Sequence, residues 1–392
     1  MNTQTAATLP LPHLAEQFLL DDDIVFLNHG SFGACPRPVF EKYQYWQREL
    51  ERQPVEFLGR RVTDLMAESR AILADYLGTQ RDNLVYVTNA TVGANIVARS
   101  LNLGPGDEVL TTDHEYGACD RTWRFLARKN GFNYINQPVV LPLTSVEEFL
   151  EQLWQGVTAR TKIIFLSHIT SPTAIIFPVM EVCRRAREQG ILTFVDGAHA
   201  PGQIPLSLDK IGADYYTGNL HKWLCAPKGA GFLYALPEVQ DLLEPLVVSW
   251  GWQSEAPGTS QFVDHHEWQG TRDLSAFLAV PEAIRFQQEH DWTRVQDNCH
   301  ALAVEAEMMI RGLTDLPSLY IDDSWFAQMV TVSLPVGTDI LALKEFLCYK
   351  YRIEVPLIEW HKSIFLRISV QGYNLSQDIA ALIRALTAWG SI

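Results

Sequence analysis

The chain has 392 residues, of which 47% are hydrophobic and 20% are charged, a balance typical of a compact protein rather than a disordered one. This length exceeds what one ordinary hydrophobic core accommodates, so we expect a large domain with a smaller partner. The formal net charge of -15 argues against nucleic acid as a partner, because an acidic surface repels backbone phosphates.

The cysteines and the start of the chain bear on cellular location. The six cysteines are scattered, without a CxxC pair or the spacing of a zinc site or a disulfide framework, so we expect reduced thiols. No lysine or arginine precedes Arg37, and no apolar run is long enough to cross a bilayer. The sequence therefore predicts a cytoplasmic protein with no membrane as a partner.

Between residues 84 and 235, short β-branched or aromatic segments alternate with longer segments of helical pattern, a rhythm typical of βαβ units. The sequence predicts an α/β fold, with a large domain built on a mainly parallel seven-stranded sheet flanked by helices. The predicted strands are residues 84–87, 108–111, 133–135, 162–166, 192–195, 214–216 and 231–234. The predicted helices between them are residues 91–101, 116–130, 146–154 and 179–189.

A loop-rich stretch at residues 254–272 follows, with the paired histidines His265 and His266. Beyond it the pattern predicts helices at 276–290, 293–313, 340–351 and 376–389, and strands at 329–334 and 364–370. These elements predict a smaller α+β domain at the C-terminus. We therefore divide the chain into an N-terminal segment that contributes to the site entrance and the small domain (1–60), a large cofactor-binding domain (61–272) and a small domain (273–392).

The residues that carry chemistry lie where predicted strands end, since ligands of an open α/β sheet collect at the carboxyl ends of its strands. Asp196 follows the strand at 192–195, and Lys222 follows the strand at 214–216. A lysine amine can form an imine with an aldehyde, and an aspartate can keep a pyridine nitrogen protonated. The pair predicts an enzyme that uses pyridoxal phosphate to act on amino groups.

Each of these residues also has an ordinary explanation. Asn89-Ala90-Thr91, between a strand and a helix, can hold a phosphate or can simply cap the helix. Asp196 can be a turn residue, and Lys222 can be a surface lysine whose stem lies on Trp223. Their joint occurrence favours the cofactor site.

Other cofactor classes lack their motifs in this chain. There is no Gly-Lys pair for a P-loop, no GxGxxG between a strand and a helix, no HExxH metal motif and no GxSxG elbow. We therefore expect neither a nucleotide nor a metal.

Six short runs along the chain resemble one known family. They are Asn28-His-Gly-Ser-Phe-Gly33, Asn89-Ala-Thr91, Val195-Asp-Gly-Ala-His199, Gly218-Asn-Leu-His-Lys222-Trp223, Gly270-Thr271-Arg272 and Leu366-Arg367-Ile-Ser369. Together they resemble the pyridoxal phosphate enzymes of aspartate-aminotransferase fold (fold type I), specifically the class V aminotransferase family. Within that family the set looks most like the isopenicillin N epimerase group, and the resemblance covers most of the chain.

The resemblance implies roles for residues around the cofactor. Lys222 forms the imine with the cofactor, Asp196 pairs with its pyridinium nitrogen, and His199 lies near its phenolic oxygen. The positions implied to contact the cofactor phosphate are Thr91, Asn219 and His221, and Ala90 is also implied to bind the cofactor.

The resemblance also implies substrate contacts and an assembly. Arg367 is implied to hold the substrate α-carboxylate, which suits a guanidinium that donates two parallel hydrogen bonds. Asn28 and His29 match positions close to the substrate, although a helix-cap or turn role explains them equally. Thr271 matches a residue that enters the neighbouring subunit's phosphate site, so a homodimer with shared sites is implied.

The reaction depends on residues that the sequence leaves open. Tyr116 and His114 are both candidates to stack on the cofactor ring and to act as a second acid, and we favour Tyr116. Cysteine desulfurases carry a nucleophilic cysteine roughly a dozen residues before the carboxylate-binding arginine, whereas residues 353–365 contain none. The resemblance favours an epimerase or racemase of an amino-acid-type substrate. C–S cleavage, transamination, and a binding or regulatory protein without significant turnover remain alternatives.

Overall fold

The computed structural model describes residues 14–390, so residues 1–13 of the predicted N-terminal segment and residues 391 and 392 lie outside the described part. Its strands are β1 (Val25–Phe26), β2 (Leu84–Val87), β3 (Glu108–Thr112), β4 (Asn133–Gln137), β5 (Thr161–Ser167), β6 (Leu192–Asp196), β7 (Tyr215–Asn219), β8 (Gly231–Ala235), β9 (Met329–Leu334), β10 (Ile353–Glu354), β11 (Leu357–Trp360) and β12 (Ser363–Ser369).

The α-helices differ widely in length, from single turns to more than six turns. They span His29–Phe32, Arg37–Arg52, Pro54–Glu56, Val62–Leu77, Ala90–Ser100, Gly117–Asn130, Val146–Trp154, Val179–Glu188, Leu208–Ile211, Gln261–His266, Ser275–Leu278, Val280–Glu289, Trp292–Thr314, Ile340–Glu345 and Ser376–Trp389. Within residues 14–390, none combines the length and the apolar character that a membrane-spanning helix needs.

Strands β2 to β8 form one seven-stranded sheet in the order β2-β8-β7-β6-β5-β3-β4. Strand β8 is antiparallel to both neighbours, and the other pairs are parallel. This confirms the predicted α/β fold with its mainly parallel sheet. Alternate residues of the strands enter two separate apolar cores, one on each face, as Ile163 and Ile164 of β5 illustrate. Burial on both faces explains why the strands read as continuous apolar runs in the sequence.

A smaller sheet, with strand order β11-β12-β9, is antiparallel throughout. The helix Trp292–Thr314 packs on β9, and the helix Ser376–Trp389 packs on Trp292–Thr314. Strands β1 and β10, which are far apart in the chain, form a parallel pair. This pair and the bridge between Asn28 and Ser369 hold the N-terminal segment against the small sheet.

The structure differs from the sequence predictions in several elements. The predicted loop at 254–272 contains the helix Gln261–His266, whose first turn is capped by the Ser260 hydroxyl. The predicted helix at 276–290 is broken into Ser275–Leu278 and Val280–Glu289, because Pro281 has no N–H and belongs in a first turn. Strand β11 was not predicted.

Close packing of one helix on the large sheet brings the start of that helix to the end of a strand. A Cβ atom at Gly93 would lie 2.2 Å from Oγ1 of Thr217, so only glycine lets the helix Ala90–Ser100 approach β7 this closely. The N-terminus of this helix therefore lies beside Asn219, the last residue of β7, where the loop that carries Lys222 begins (residues 220–230, the lysine loop).

Candidate active site

A cavity of about 500 Å³ opens where β2, β3, β5, β6 and β7 end. This volume lies in the range of small-molecule sites, about 300–1,000 Å³. The predicted site residues that line it are Ala90, Thr91, Tyr116, Asp196, His199, Asn219, His221 and Lys222. The fold therefore brings together residues that are more than 130 positions apart in the chain.

Lys222 and His199 are in direct contact at this cavity. The Nζ atom of Lys222 lies 3.1 Å from Nε2 of His199, and the Nδ1 atom of His199 accepts a hydrogen bond from the Trp223 indole over 3.2 Å. Burial, reinforced by Lys222, lowers the pKa of His199 well below its usual value, so the ring is neutral. Since an indole N–H only donates, the single ring proton of His199 sits on Nε2 and points to Lys222.

This arrangement requires an uncharged lysine. An N–H of His199 that points to Nζ needs a lone pair there, which only the neutral amine has. Burial, assisted by the positive charge of Arg367, lowers the pKa of Lys222 to about 7. The uncharged amine is the form that can bond to an aldehyde carbon.

The backbone of the lysine loop is held by the glycine-containing run near the N-terminus. Nε2 of His29 donates to the carbonyl oxygen of Lys222 over 3.0 Å. Gly33 has φ of +70°, and a Cβ atom there would lie 2.0 Å from the carbonyl oxygen of His221. No other residue would fit between the two loops, which explains the glycine of this motif.

Asp196, at the end of β6, is a buried carboxylate that can accept further hydrogen bonds. Its oxygens accept hydrogen bonds from the backbone N–H of Ala198 over 2.9 Å and from the thiol of Cys119 over 3.4 Å. Burial raises the pKa of Asp196, although Ala198 and Lys222 act in the opposite direction. Within residues 14–390 it forms no ion pair, so a protonated ring nitrogen would supply the missing positive partner.

The opposite end of the cavity has donors suited to an anion. Asn89 caps the helix Ala90–Ser100 by accepting from Val92 N over 3.0 Å, and Ala90 N donates to Asn219 Oδ1 over 2.9 Å. Within the described residues the amide and hydroxyl of Thr91 donate no hydrogen bond at this helix N-terminus, where the helix dipole favours negative charge.

His221 completes this end of the cavity. Its Nδ1 donates to the carbonyl oxygen of Ala230 over 2.9 Å, which leaves Nε2 for a ligand. Burial lowers the pKa of His221 to about 4, so Nε2 carries no proton at neutral pH. A phosphate bound here would raise that pKa, because a protonated ring donates to an anion and a neutral one does not.

Arg367, on β12, is buried and has a positive charge without a counter-ion. Its guanidinium donates to the backbone oxygen and the hydroxyl of Ser171 over 2.7 Å and 3.0 Å, and to the hydroxyl of Ser31 over 3.2 Å. Within the described residues it forms no ion pair, and its Nε has no hydrogen-bond partner. Burial lowers its pKa only to about 10, so it stays charged. A buried unpaired cation of this kind suits a carboxylate ligand.

Five predicted residues do not line this cavity: Arg367, which contacts the lining residues Ser31 and Ser171, and His114, Asn28, His29 and Thr271. His114 is fully buried, and its two ring nitrogens bond to Thr173 Oγ1 at 2.8 Å and Val139 O at 2.9 Å. Neither nitrogen is left for a cofactor or a substrate, so the structure favours Tyr116 of the two candidates.

The other three residues have contacts elsewhere. Asn28 donates to Glu354 over 3.0 Å, and His29 bonds to Tyr373 and to the Lys222 backbone. Thr271 is exposed. In this chain alone, Asn28 and His29 support the loops of the cavity, and Thr271 faces solvent.

The cavity also contains residues that the sequence reasoning missed. Ser31 and Phe32 line it, although they belong to the same motif as Asn28 and His29. Ser167, Ile169 and Ser171 line it from the segment that follows β5. Their position directly after a predicted strand could have identified them as site residues. Serine is so common in loops, however, that its residue type alone does not indicate a site.

Comparison with known proteins identifies the group to which this arrangement belongs. Residues 34–382 match the family model described as aminotransferase class-V. The chain belongs to the class V aminotransferase family. It is 36% identical over 385 residues to isopenicillin N epimerase of Amycolatopsis lactamdurans, an alignment that covers 95% of this chain and 96% of that protein.

Two further relatives represent other activities. A probable chloroplastic L-cysteine desulfhydrase of Arabidopsis thaliana is 29% identical over 402 residues, which cover 93% of this chain and 83% of that protein. A solved variant of the cystine C–S lyase C-DES, with glycine covalently linked to its pyridoxal phosphate, has a TM-score of 0.81 at 22% identity. That match covers 93% of this chain and 96% of the lyase.

This class V aminotransferase-family member is thus a pyridoxal-phosphate-dependent enzyme. Its cavity fits the cofactor on chemical grounds. It offers an uncharged amine for the aldehyde, an unpaired carboxylate for the ring nitrogen and a helix N-terminus for the phosphate. These three groups come from Lys222, Asp196 and Thr91, and they line the same cavity.

Proposed function

We propose that this class V enzyme epimerises or racemises the α-carbon of an amino-acid-type substrate. The observation that carries the proposal is that one cavity holds the uncharged amine of Lys222 and the side chain of Tyr116, two groups able to move a proton. Inversion at a carbon needs one group to remove the proton and another to return it on the other side. The 36% identity to isopenicillin N epimerase supports this assignment.

In this proposal the cofactor is held by residues at the ends of three strands, β2, β6 and β7. Lys222 would hold its aldehyde carbon until the substrate amine displaces the lysine and frees its amine, Asp196 would hold its ring nitrogen, and His199 would donate from Nε2 near its phenolic oxygen. Its phosphate would be bound by Thr91, Asn219 and His221, and Ala90, whose backbone N–H donates to Asn219, would hold that side chain in place. When bound, pyridoxal phosphate supplies an electron sink that makes the substrate Cα–H bond acidic.

Arg367 orients the substrate. Its guanidinium donates to the α-carboxylate, while Ser31 and Ser171 hold the guanidinium in place. Each charge-assisted hydrogen bond contributes about 1.5–3 kcal/mol, which is enough to fix a small amino acid in one orientation.

Two residues then handle the proton at Cα. The amine of Lys222 takes the proton from one side, and the hydroxyl of Tyr116 gives a proton back on the other. Tyr116 suits this role because its side chain is 46% exposed and lines the cavity, so water can restore its proton after each turnover.

We also propose that the enzyme works as a homodimer. A segment after β8 exposes a run of large apolar side chains, with Val248 at 65%, Trp250 at 85% and Trp252 at 47% exposure. Patches of this kind mark interfaces. A second copy seated there would also use the exposed Thr271 in its phosphate site. Replacing Trp250 with Asp should give a monomer, as measured by sedimentation, and this monomer should bind the cofactor more weakly. An unchanged dimer would contradict this arrangement.

The function is tested by incubating the holoenzyme in heavy water with L-amino acids and with isopenicillin N, the substrate named for the 36% identical relative. Epimerisation predicts deuterium at Cα together with inverted configuration, read by NMR and chiral chromatography. Tyr116→Phe should keep deuterium exchange but lose inversion at least about tenfold. Tyr45→Phe, an exposed tyrosine on the helix Arg37–Arg52, is the matched control. Inversion at the wild-type rate in Tyr116→Phe would exclude the two-residue mechanism.

C–S lyase activity is the second candidate, supported by the 29% identity to a desulfhydrase. No cysteine lines the cavity within the described residues, so a reaction through a protein persulfide is disfavoured, whereas direct elimination needs no protein thiol. Sulfide released from L-cysteine in the same incubation, without inversion of any substrate, would favour this activity. A keto acid product would indicate transamination instead.

A further inference from the structure

Glu115, which neither the predicted site nor the proposed mechanism includes, joins two strand ends beside the cavity. Its Oε1 accepts a hydrogen bond from the Thr112 hydroxyl over 2.7 Å, and its Oε2 lies 2.6 Å from the Ser167 hydroxyl. Thr112 ends β3 and Ser167 ends β5, which are neighbours in the sheet. Glu115 also directly precedes Tyr116, so its placement affects the residue that lines the cavity.

The direction of one of these hydrogen bonds follows from a third contact. The backbone N–H of His114 donates to Oγ1 of Thr112 over 3.2 Å, so this oxygen is already an acceptor. The hydroxyl proton of Thr112 then points to Oε1 of Glu115. A proton carried by Glu115 itself therefore sits on Oε2, where it faces Ser167.

The surroundings of Glu115 favour the protonated form. Burial raises the pKa of Glu115 to about 8, although hydrogen bonds from Ser167 and Thr112 act in the opposite direction, and the charge of Asp196 on β6 adds to the rise. The other titratable groups that face it are the thiol of Cys119 and the phenol of Tyr134, and burial raises the pKa of both. Within residues 14–390, no cation forms an ion pair with Glu115.

We propose that the proton on Glu115 sets the direction of the Ser167 hydroxyl at the cavity wall, so that Glu115 is a positioning residue for the bound ligand. With the proton present, Oε2–H donates to Ser167 Oγ, and the hydroxyl proton of Ser167 is free to donate into the cavity. Without it, Ser167 donates to the carboxylate and offers the cavity only lone pairs. Ser167 lines the cavity and pairs with Asp196 across β5 and β6.

This switch determines what Ser167 can bind. The donor form recognises a hydrogen-bond acceptor on the cofactor or the substrate, and the acceptor form repels it. Pyridoxal phosphate should therefore bind more tightly when Glu115 is protonated. The inference concerns cofactor binding, so it holds for whichever reaction the enzyme catalyses.

The test is the pH dependence of the dissociation constant for pyridoxal phosphate, measured from the visible absorption of the bound cofactor between roughly pH 6 and pH 10. In the wild-type protein, affinity should fall about tenfold as Glu115 loses its proton, the equivalent of one hydrogen bond. Glu115→Gln should remove this fall, because its amide nitrogen donates to Ser167 at every pH. Glu148→Gln is the control, since Glu148 also accepts from a threonine hydroxyl but lies on the surface helix Val146–Trp154.

Ser167→Ala provides a second, independent variant in case Glu115→Gln does not fold. It should bind the cofactor more weakly than the wild-type protein at low pH and should lack the tenfold fall. If either folded variant, checked by circular dichroism, keeps the wild-type pH dependence, the proposal is wrong. A wild-type affinity that does not change across this range overturns it equally.

Discussion

The imidazole of His29 joins two distant parts of the chain by donating from Nε2 to the backbone carbonyl oxygen of Lys222 over 3.0 Å. Its Nδ1 lies 3.0 Å from the hydroxyl of Tyr373, which donates to it. Burial lowers the pKa of His29 to about 3, so the ring is neutral and both bonds have a defined direction. The lysine loop is thereby fixed by a residue of the N-terminal segment.

Replacing His29 with Ala should leave the hydroxyl of Tyr373 without its partner and the buried carbonyl of Lys222 with only the backbone N–H of Cys225. We expect the free energy of unfolding to fall by about 1–3 kcal/mol, measured by urea denaturation. Cofactor affinity should also fall, because the lysine loop loses its support. His361→Ala, at an exposed histidine, is the control. Equal stability of the two variants would show that the His29 contacts do not hold the loop.

Arg367 should show opposite effects on stability and on substrate binding. Arg367→Met removes a buried charge that has no counter-ion among residues 14–390, so we expect stability to be unchanged or increased. The apparent affinity for the substrate carboxylate should fall more than about a hundredfold, the equivalent of two charge-assisted hydrogen bonds. Thermal denaturation and the steady-state KM measure the two effects. Arg352→Met, at an exposed arginine paired with Asp23, is the control. Unchanged affinity would refute the carboxylate-binding role.

Lys222→Ala should abolish exchange of the Cα proton with solvent. The variant removes the only amine that lines the cavity within the described residues, together with its contact to His199. Deuterium incorporation in heavy water is the measurement, and Lys228→Ala, at a neighbouring lysine outside this cavity, is the control. Substantial residual exchange in Lys222→Ala would mean that another residue is the base.

Buried histidines predict a loss of stability in acid. Burial lowers the pKa of His168 to about 4, against about 6.5 for an unfolded chain, as it does for His221 and His266. Below about pH 6.5 the unfolded chain binds protons that the folded one does not, so the free energy of unfolding falls until about pH 4. Each such histidine contributes a slope of at most about 1.4 kcal/mol per pH unit.

His168→Asn tests this prediction. Asparagine can place an acceptor near the position of Nδ1, which lies 2.9 Å from the hydroxyl of Tyr216. Urea denaturation at a series of pH values should show a shallower decline for the variant, by about one proton. His265→Asn, at the partly exposed histidine beside His266, should decline like the wild-type protein. An unchanged slope in His168→Asn would show that His168 is not the residue that titrates.

The large sheet was predictable because its strands are buried on both faces. Runs such as residues 162–166 are apolar throughout and stand between helical patterns, so local sequence identifies them as strands. Strand β11 was not predicted, since its side chains are half-buried or exposed and its pairing with β12 is decided by the turn between them. The small helix Gln261–His266 was missed because its neighbours are turn-forming residues.

The same contrast applies to the site. Asp196, Lys222 and Thr91 were found because each follows a predicted strand, and strand ends meet at one edge of a parallel sheet. Tyr116 and His114 are only two residues apart, and their sequence context does not show which one faces the cavity. The structure separates them because His114 packs on Trp360 of β11, with ring centroids 4.5 Å apart, and bonds to Thr173.

By itself, the sequence determined the large sheet, the cofactor and the residues at the strand ends, because burial pattern and residue type are local properties of the chain. Only the tertiary structure decided which residues of the motif from Asn28 to Gly33 line the cavity, and that Glu115 joins β3 to β5. Side-chain direction in a loop depends on contacts with residues far away in the chain. Those contacts exist only once the two sheets and the N-terminal segment have packed together.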